Sequence, residues 1–539
     1  MKEIKKNHTG MFFTLAMIIV VAFGGYKLFK NYQQNKGQSD EVINTDFGLF
    51  LAAQHALYIN DFDTASAMIN DIKSDKKIVN QIRNVSDFFN GKMPSNADSL
   101  KNSKELVDGM IYDAYLINQD DWKTLYNRHN KDESVLTALV RIFAGANQGK
   151  TKETIKFINS LPTTDSWKSF IRGQIAVLNN DIDGAAKEFA KVHPEFMNVN
   201  DYLYLMSFYK HFGMMEDVEI LRNDFLAKLG GMYMVDYPDI PDWKNYSGYK
   251  NNLAFGIIQT ISHTQFIMYT DLSLMFLRFA QIISDNPDTD AINYYLGQYY
   301  FNNYGDFKSH FKQIKKSNPL FLFAKLKTAE KDNDTKTIQK IANDNPLFIP
   351  AFYDAMHDNI QNGNRHSALR LINRALKQHG LSEAGRLYFL KQRVYVNLVF
   401  NHPKSAQRDL LKIQEIDEVW TPDMMLLQAR TWEQLNQNLD QAYDYVMELI
   451  KMNKSDVNAW ETLGLIVYKR ENVENAIEIL ERVGEVAMTT SSLYEHLGDL
   501  YKKRGDKERA KRAYSQALDL SNDGLIVIPN VKKKLRKLK

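Results

Sequence analysis

Two adjoining lines of sequence decide the fold: DVNAWETLGLIVYKRENVENAIEILERVGEVAM (456–488) and TTSSLYEHLGDLYKKRGDKERAKRAYSQALDLS (489–521). A shift of 34 residues sets Trp460 on Tyr494, Leu463 on Leu497, Gly464 on Gly498, Ala476 on Ala510 and Leu480 on Tyr514. A fixed period of this length predicts a tandem helix–turn–helix unit. Each small residue has a physical task. Gly464 and Gly498 let the second helix of a unit cross close to the first, and Ala476 and Ala510 stand opposite them. Trp460 and Tyr494 fill the gap to the next unit. A larger side chain at the alanine position overpacks, at about 1–3 kcal/mol. One unit cannot bury its own apolar face, so units must stack.

These residues resemble the tetratricopeptide repeat, whose pattern runs W-x2-L-G-x2-Y, then Ala, an aromatic and Ala. The resemblance implies an all-α solenoid that works as a protein-binding scaffold. It is plainest at 349–382, 422–455, 457–490 and 491–523, and fades toward the amino terminus. As a whole the chain resembles the long membrane-attached repeat proteins of bacteria. In the tetratricopeptide family the first helix of each unit lines an inner groove. Carried onto this chain, that gives Tyr353, His357 and Ile360, then Asn458, Glu461, Leu465 and Tyr468, then Ser492, Glu495, Asp499 and Lys502. Glu495 and Asp499 would repel a peptide carboxylate, which argues against a clamp for carboxyl-terminal tails. The groove is expected to suit a segment bearing basic and apolar groups.

Composition narrows the classes. The chain has 539 residues and a net charge of +3, and six basic residues fall in its last nine positions, VKKKLRKLK. Without them the body is slightly acidic, which argues against nucleic acid as the main ligand. Cysteine is absent, so neither a disulfide framework nor a thiolate metal site can form. That absence also counts against the lipopolysaccharide-regulating anchored repeat proteins, which carry a cysteine metal module.

After a short tail (1–10), residues 11–29 form the apolar run MFFTLAMIIVVAFGGYKLF. As a helix it spans about 28 Å, against a hydrocarbon core of about 30 Å. A transmembrane anchor is expected, with a cleaved signal peptide as the rival reading. Lysines flank both ends equally, so charge does not orient it; a periplasmic body is the expectation. Residues 30–44 read as a polar linker.

Degenerate helix pairs are expected over 45–229. One has Gly173 and Ala185 at the same separation as Gly464 and Ala476. The aromatic, proline-bearing stretch 230–250 reads as a junction, or as a loop packed by its own rings. A second array is expected over 251–523, with Leu296, Gly297 and Tyr300 in the repeat pattern. Ala442, Ala476 and Ala510 form an even series within it. Residues 524–539 are expected to form a basic capping helix. Pro529 starts it, Val531, Leu535 and Leu538 make one apolar stripe, and the rival role is contact with anionic lipid.

One motif points to different chemistry. AGANQGKT, from Ala144 to Thr151, approaches the phosphate loop in which backbone amides and a lysine, here Lys150, hold phosphates. A phosphate loop follows a buried strand, whereas VLTALVRIFAG before it has a helical period. The nucleotide-binding regulator is therefore one alternative to the scaffold, and a lipid- or envelope-polymer-handling factor is the other. No histidine pair has metal-ligand spacing and no nucleophile elbow occurs. No catalytic residue, cofactor or metal is assigned, and the partners expected are proteins and a membrane.

Overall fold

The computed structural model describes residues 46–538 except 59–60, 74–76, 104, 130–134, 194–196, 229–239, 264–270, 286–288, 303–304, 380, 382, 418–419, 471, 487–489 and 522–525. The expected tail, anchor and linker at 1–44 lie outside the described residues. No described helix is long and apolar enough to cross a membrane. Among the described residues every regular element is a helix and no strand occurs.

The chain divides into two compact units: Met1–Leu221 with Pro238–Ala324, and Arg222–Tyr237 with Lys325–Lys539. The second array therefore does not begin at 251 as the sequence suggests. Helices Tyr249–His263 and Asp271–Ile283 belong to the first unit, where the former packs on Val135–Asn147 and Asp165–Leu178 and the latter on Lys77–Phe89 and Leu106–Asn118. The reason lies in their surfaces. Residues 251–261 are buried on every side, so this helix needs a surrounding trough and not a single neighbour.

Its seat is polar as well as apolar. Asn252 is fully buried; its amide donates to the carbonyls of Tyr246 and Gly248, the latter at 3.0 Å. Its side-chain oxygen accepts from Gln174 Nε2 at 3.1 Å and from the Tyr204 hydroxyl at 2.7 Å. Replacing Asn252 with leucine strands these partners. The first unit is expected to lose about 2–4 kcal/mol, read from its urea transition, since each unmet buried group costs about 1–3 kcal/mol.

The described part of the aromatic stretch packs by its own rings. Trp243 is buried against Tyr204, Phe208 and Tyr246 at centroid distances of 5.3, 5.7 and 6.1 Å.

The second unit carries five successive helix pairs: Ile349–Gln361 with Arg365–Leu376, Glu383–Val399 with Pro403–Ile416, Pro422–Leu435 with Leu439–Met452, Val457–Arg470 with Val473–Val486, and Ser491–Arg504 with Lys507–Asp519. Each second helix packs on the first helix of the next pair. From Glu383 to Arg470, first helices also touch one another, making one continuous wall.

The small residues sit where the period demands. A Cβ on Gly464 would lie 2.5 Å from Leu480, and one on Gly498 2.5 Å from the Tyr514 ring. Gly173 faces Phe189 in the same way in the first unit, at 2.3 Å. Ala442, Ala476 and Ala510 are fully buried. Trp460 packs against the clusters on both of its sides and donates its indole N–H to the Lys454 carbonyl at 2.9 Å. Tyr494 is partly buried against the last cluster.

Helix Ile528–Arg536 closes the chain, with Pro529 in its first turn. Val531 is fully buried, and Leu535 and Leu538 pack beside it on the last pair. The segment before it also reaches the first pair of this array. A Cβ on Gly363, in the turn after Ile349–Gln361, would lie 3.5 Å from Val527 and 3.8 Å from Pro529. Gln361 donates to the Ser521 carbonyl. Capping thus includes a clasp between the last and the first of these five pairs, which the sequence alone does not indicate.

Candidate functional site: a charged cleft in the carboxyl-terminal array

The first-helix wall and the closing helix enclose a cleft of about 770 Å³. Leu398, Leu426, Leu465 and Tyr468 give it half-buried or buried apolar surface, and Glu433, Lys469, Glu495, Asp499 and Lys502 give it charge. The closing helix contributes Asn530, Lys533, Lys534 and Lys537. Of the groove residues expected from sequence, Asn458, Leu465, Tyr468, Ser492, Glu495, Asp499 and Lys502 line this cleft. Tyr353 and His357 do not. Their rings lie 4.1 Å apart, Tyr353 is 47% exposed, and His357 sits 6.1 Å from Tyr395, which does line it.

Glu461 is a correction. It is fully buried and is no docking side chain. Its carboxylate receives Arg430 at 2.8 Å, His496 Nδ1 at 2.9 Å and the Ser492 hydroxyl at 2.8 Å. Arg430 Nε also donates to the Thr462 hydroxyl at 3.1 Å. The family resemblance places Glu461 on the inner face, but Arg430 from the preceding pair and His496 from the next close over it.

Burial pushes the Glu461 carboxyl up, but the Arg430 charge and the hydrogen bonds from His496 and Ser492 outweigh it and hold the group at about 2. Burial pulls His496 down, and its bond to Glu461, with the Glu461 and Glu495 charges, overcomes that and the opposing Arg430. An ionised carboxylate only accepts, so His496 Nδ1 carries the proton toward it.

The signs then follow. The Glu461 contribution is present above its ordinary 4.5 and fades as pH falls toward 2. The His496 contribution is complete below 6.5 and is lost as pH rises through its raised value. Melting temperature followed against pH is expected to decline above 6.5, and the decline is expected to shrink in His496→Gln.

Lys534 and Glu433 are among the cleft residues missed from sequence. Lys534 sits between Glu495 and Asp499 at 2.8 and 2.6 Å. Burial opposes its charge, and the two carboxylates raise its pKa despite that. Asp499 is also held by the Tyr514 hydroxyl at 2.6 Å. The acidic pair expected to meet a partner is thus already met by the chain's own tail. Glu433 is buried, and that burial pushes its carboxyl up against the opposing charges of Lys469, His496 and Arg430.

The phosphate-loop alternative meets a different local structure. Helix Val135–Asn147 takes in the first four residues of the motif, and Thr151–Ser160 begins on its last. The amides of Gln148, Gly149 and Lys150 are spent on the carbonyls of Ala144, Ala146 and Gly145. Gly149 has φ +71°, as a tight helix–helix turn requires. The Lys150 ammonium lies 4.0 Å over the Tyr126 ring. Those three turn amides are therefore not turned toward a phosphate. Among the described residues no three of His, Asp or Glu gather as a metal would need.

Residues 491–523 match the tetratricopeptide repeat family. That match covers one helix pair, and the described residues around it are all-α, in stacked helix pairs. No curated protein matches the sequence. Among solved structures it is similar to a tetratricopeptide repeat protein from Parabacteroides merdae at 15% identity, over 47% of this chain and 92% of that one, with a TM-score of 0.32. It is also similar to the Cut9–Hcn1 hetero-tetramer of the APC/C at 12% identity, over 92% and 96%, TM-score 0.30. Yeast Tom70 aligns at 13% identity, over 91% and 96%, TM-score 0.28. Superpositions this loose say nothing of what the chain binds.

Proposed function

We propose that this protein is a membrane-anchored scaffold that holds a segment of a partner protein in the cleft of its carboxyl-terminal array, in the assembly or maintenance of a bacterial cell envelope. It acts by binding and carries out no reaction. The observation that carries this reading is the contrast between the two units. In the first, helices Tyr249–His263 and Asp271–Ile283 are packed into the repeat pairs, while the cleft of the second remains open and is lined by apolar and charged side chains. A photo-crosslinking residue at Tyr468 is expected to capture a protein in cells that the same residue at Lys511, on an outer helix, does not. Equal capture at both positions, or none at either, would defeat the scaffold reading.

The anchor rests on the run at 11–29, which carries no charged residue from Met11 to Tyr26. Deleting residues 1–30 is expected to release the protein from the membrane fraction, and unchanged retention would remove the anchor. A reporter fused at the carboxyl terminus, active only outside the cytoplasm, tests the periplasmic placement of the body.

A further inference from the structure

We infer that the cleft takes an acidic segment of its partner, with glutamate or aspartate side chains between apolar ones, and that the closing helix is one wall of that site. The inference deepens the scaffold reading and rests on it.

The groove's own acids favour a basic ligand only until the tail is considered. Lys534 neutralises Glu495 and Asp499 by direct contact. The remaining carboxylate in the lining, Glu433, is buried, with Lys469 4.0 Å away. No acid of the lining is left both exposed and unmatched. The cations are in the opposite condition. Lys502 on helix Ser491–Arg504 and Lys533 and Lys537 on the closing helix are all exposed lining residues, and none carries an ion pair among the described residues. Lys533 and Lys537 are spaced i, i+4, so they share one face of their helix. The cleft therefore presents a net positive field beside Leu465 and Tyr468, and a field of this kind draws an anionic partner and fixes its register.

Displacing the tail would restore an acidic groove, but at a cost. It would expose Val531, which is fully buried, and break both Lys534 contacts. An acidic occupant requires no displacement. A peptide fits better than a polyanion because the lining alternates charge with half-buried leucine and tyrosine, which phosphate chains cannot use. The volume is that of a pocket for several side chains.

Full-length protein is titrated with a fluorescein-labelled peptide of repeated Glu-Glu-Leu-Leu, and separately with its Lys-Lys-Leu-Leu counterpart, by anisotropy. The acidic peptide is expected to bind at least about tenfold more tightly, with an advantage that shrinks as salt is added. The double variant Lys533→Glu, Lys537→Glu is expected to weaken acidic-peptide binding by about tenfold or more. Lys507→Glu with Lys511→Glu, on the outer helix, is expected to leave it unchanged. All four positions are exposed, and circular dichroism verifies folding. Stronger binding of the basic peptide would overturn the inference in favour of a tail that swings away. Unchanged affinity in the Lys533/Lys537 variant would overturn it, as would tighter binding to oligo-dT or to anionic phosphatidylglycerol vesicles than to the acidic peptide. If the peptides show no preference while the crosslink at Tyr468 still forms, the charge assignment fails and the scaffold stands. Loss of both sinks both.

Discussion

Arg430→Ala is expected to lower the stability of the carboxyl-terminal array by about 3–5 kcal/mol, because it leaves a buried carboxylate without its counter-charge. Glu461 is fully buried, and Arg430 is its closest cation at 2.8 Å. His496 and Ser492 remain as donors after the substitution, but they cannot supply the guanidinium's fixed charge. The array's urea transition reads the loss. Replacing both partners, as Arg430→Met with Glu461→Leu, is expected to recover most of it, since the desolvation of two charges disappears together with their attraction. If the single and double variants lose stability equally, the pair does not carry the effect. The same substitution should leave the first unit's transition in place.

The second large effect is Tyr514→Ala, with an expected cost of about 3–5 kcal/mol for emptying a buried aromatic site. Tyr514 is fully buried against the backbone of Gly498, so no neighbouring side chain at that position can collapse into the space. Its hydroxyl also steadies Asp499, which in turn holds Lys534. Tyr514→Phe separates the two roles. It keeps the ring and is expected to cost only about 1 kcal/mol, the usual worth of one hydrogen bond. A loss in Tyr514→Phe as large as that in Tyr514→Ala would mean that the hydroxyl, not the ring, matters. Limited proteolysis after Lys533 and Lys537 reports whether the closing helix loosens in either variant.

How far the site could be read from sequence varies with the residue. Asn458, Leu465, Tyr468, Ser492, Glu495, Asp499 and Lys502 follow from the resemblance to the tetratricopeptide repeat, which implies the first-helix positions that face the groove. Glu461 is implied in the same way, but Arg430 and His496 lie about one repeat away on either side, and nothing in a single unit shows that they converge. The closing helix could be placed on the last pair from its apolar stripe. Its lysines face the cleft because Val531 is locked inward, and the contact of Val527 with Gly363 depends on how all five pairs stack. In the first unit, the helix Tyr249–His263 did carry a signal. Its apolar residues run round the whole circumference, which marks a helix enclosed on all sides.

By itself the sequence determined the repeating unit: a period of 34 residues, the glycines and alanines at the helix crossings, the large residues that fill between them, and the proline that opens the last helix. These are short-range requirements of geometry and volume, and one unit's own residues state them. Tertiary structure alone decided which inner surface was filled, which acid was buried and which sign of charge the cleft presents. Those outcomes depend on Coulomb and packing terms between groups tens to hundreds of residues apart, and such distances are set only when every pair has stacked on the next.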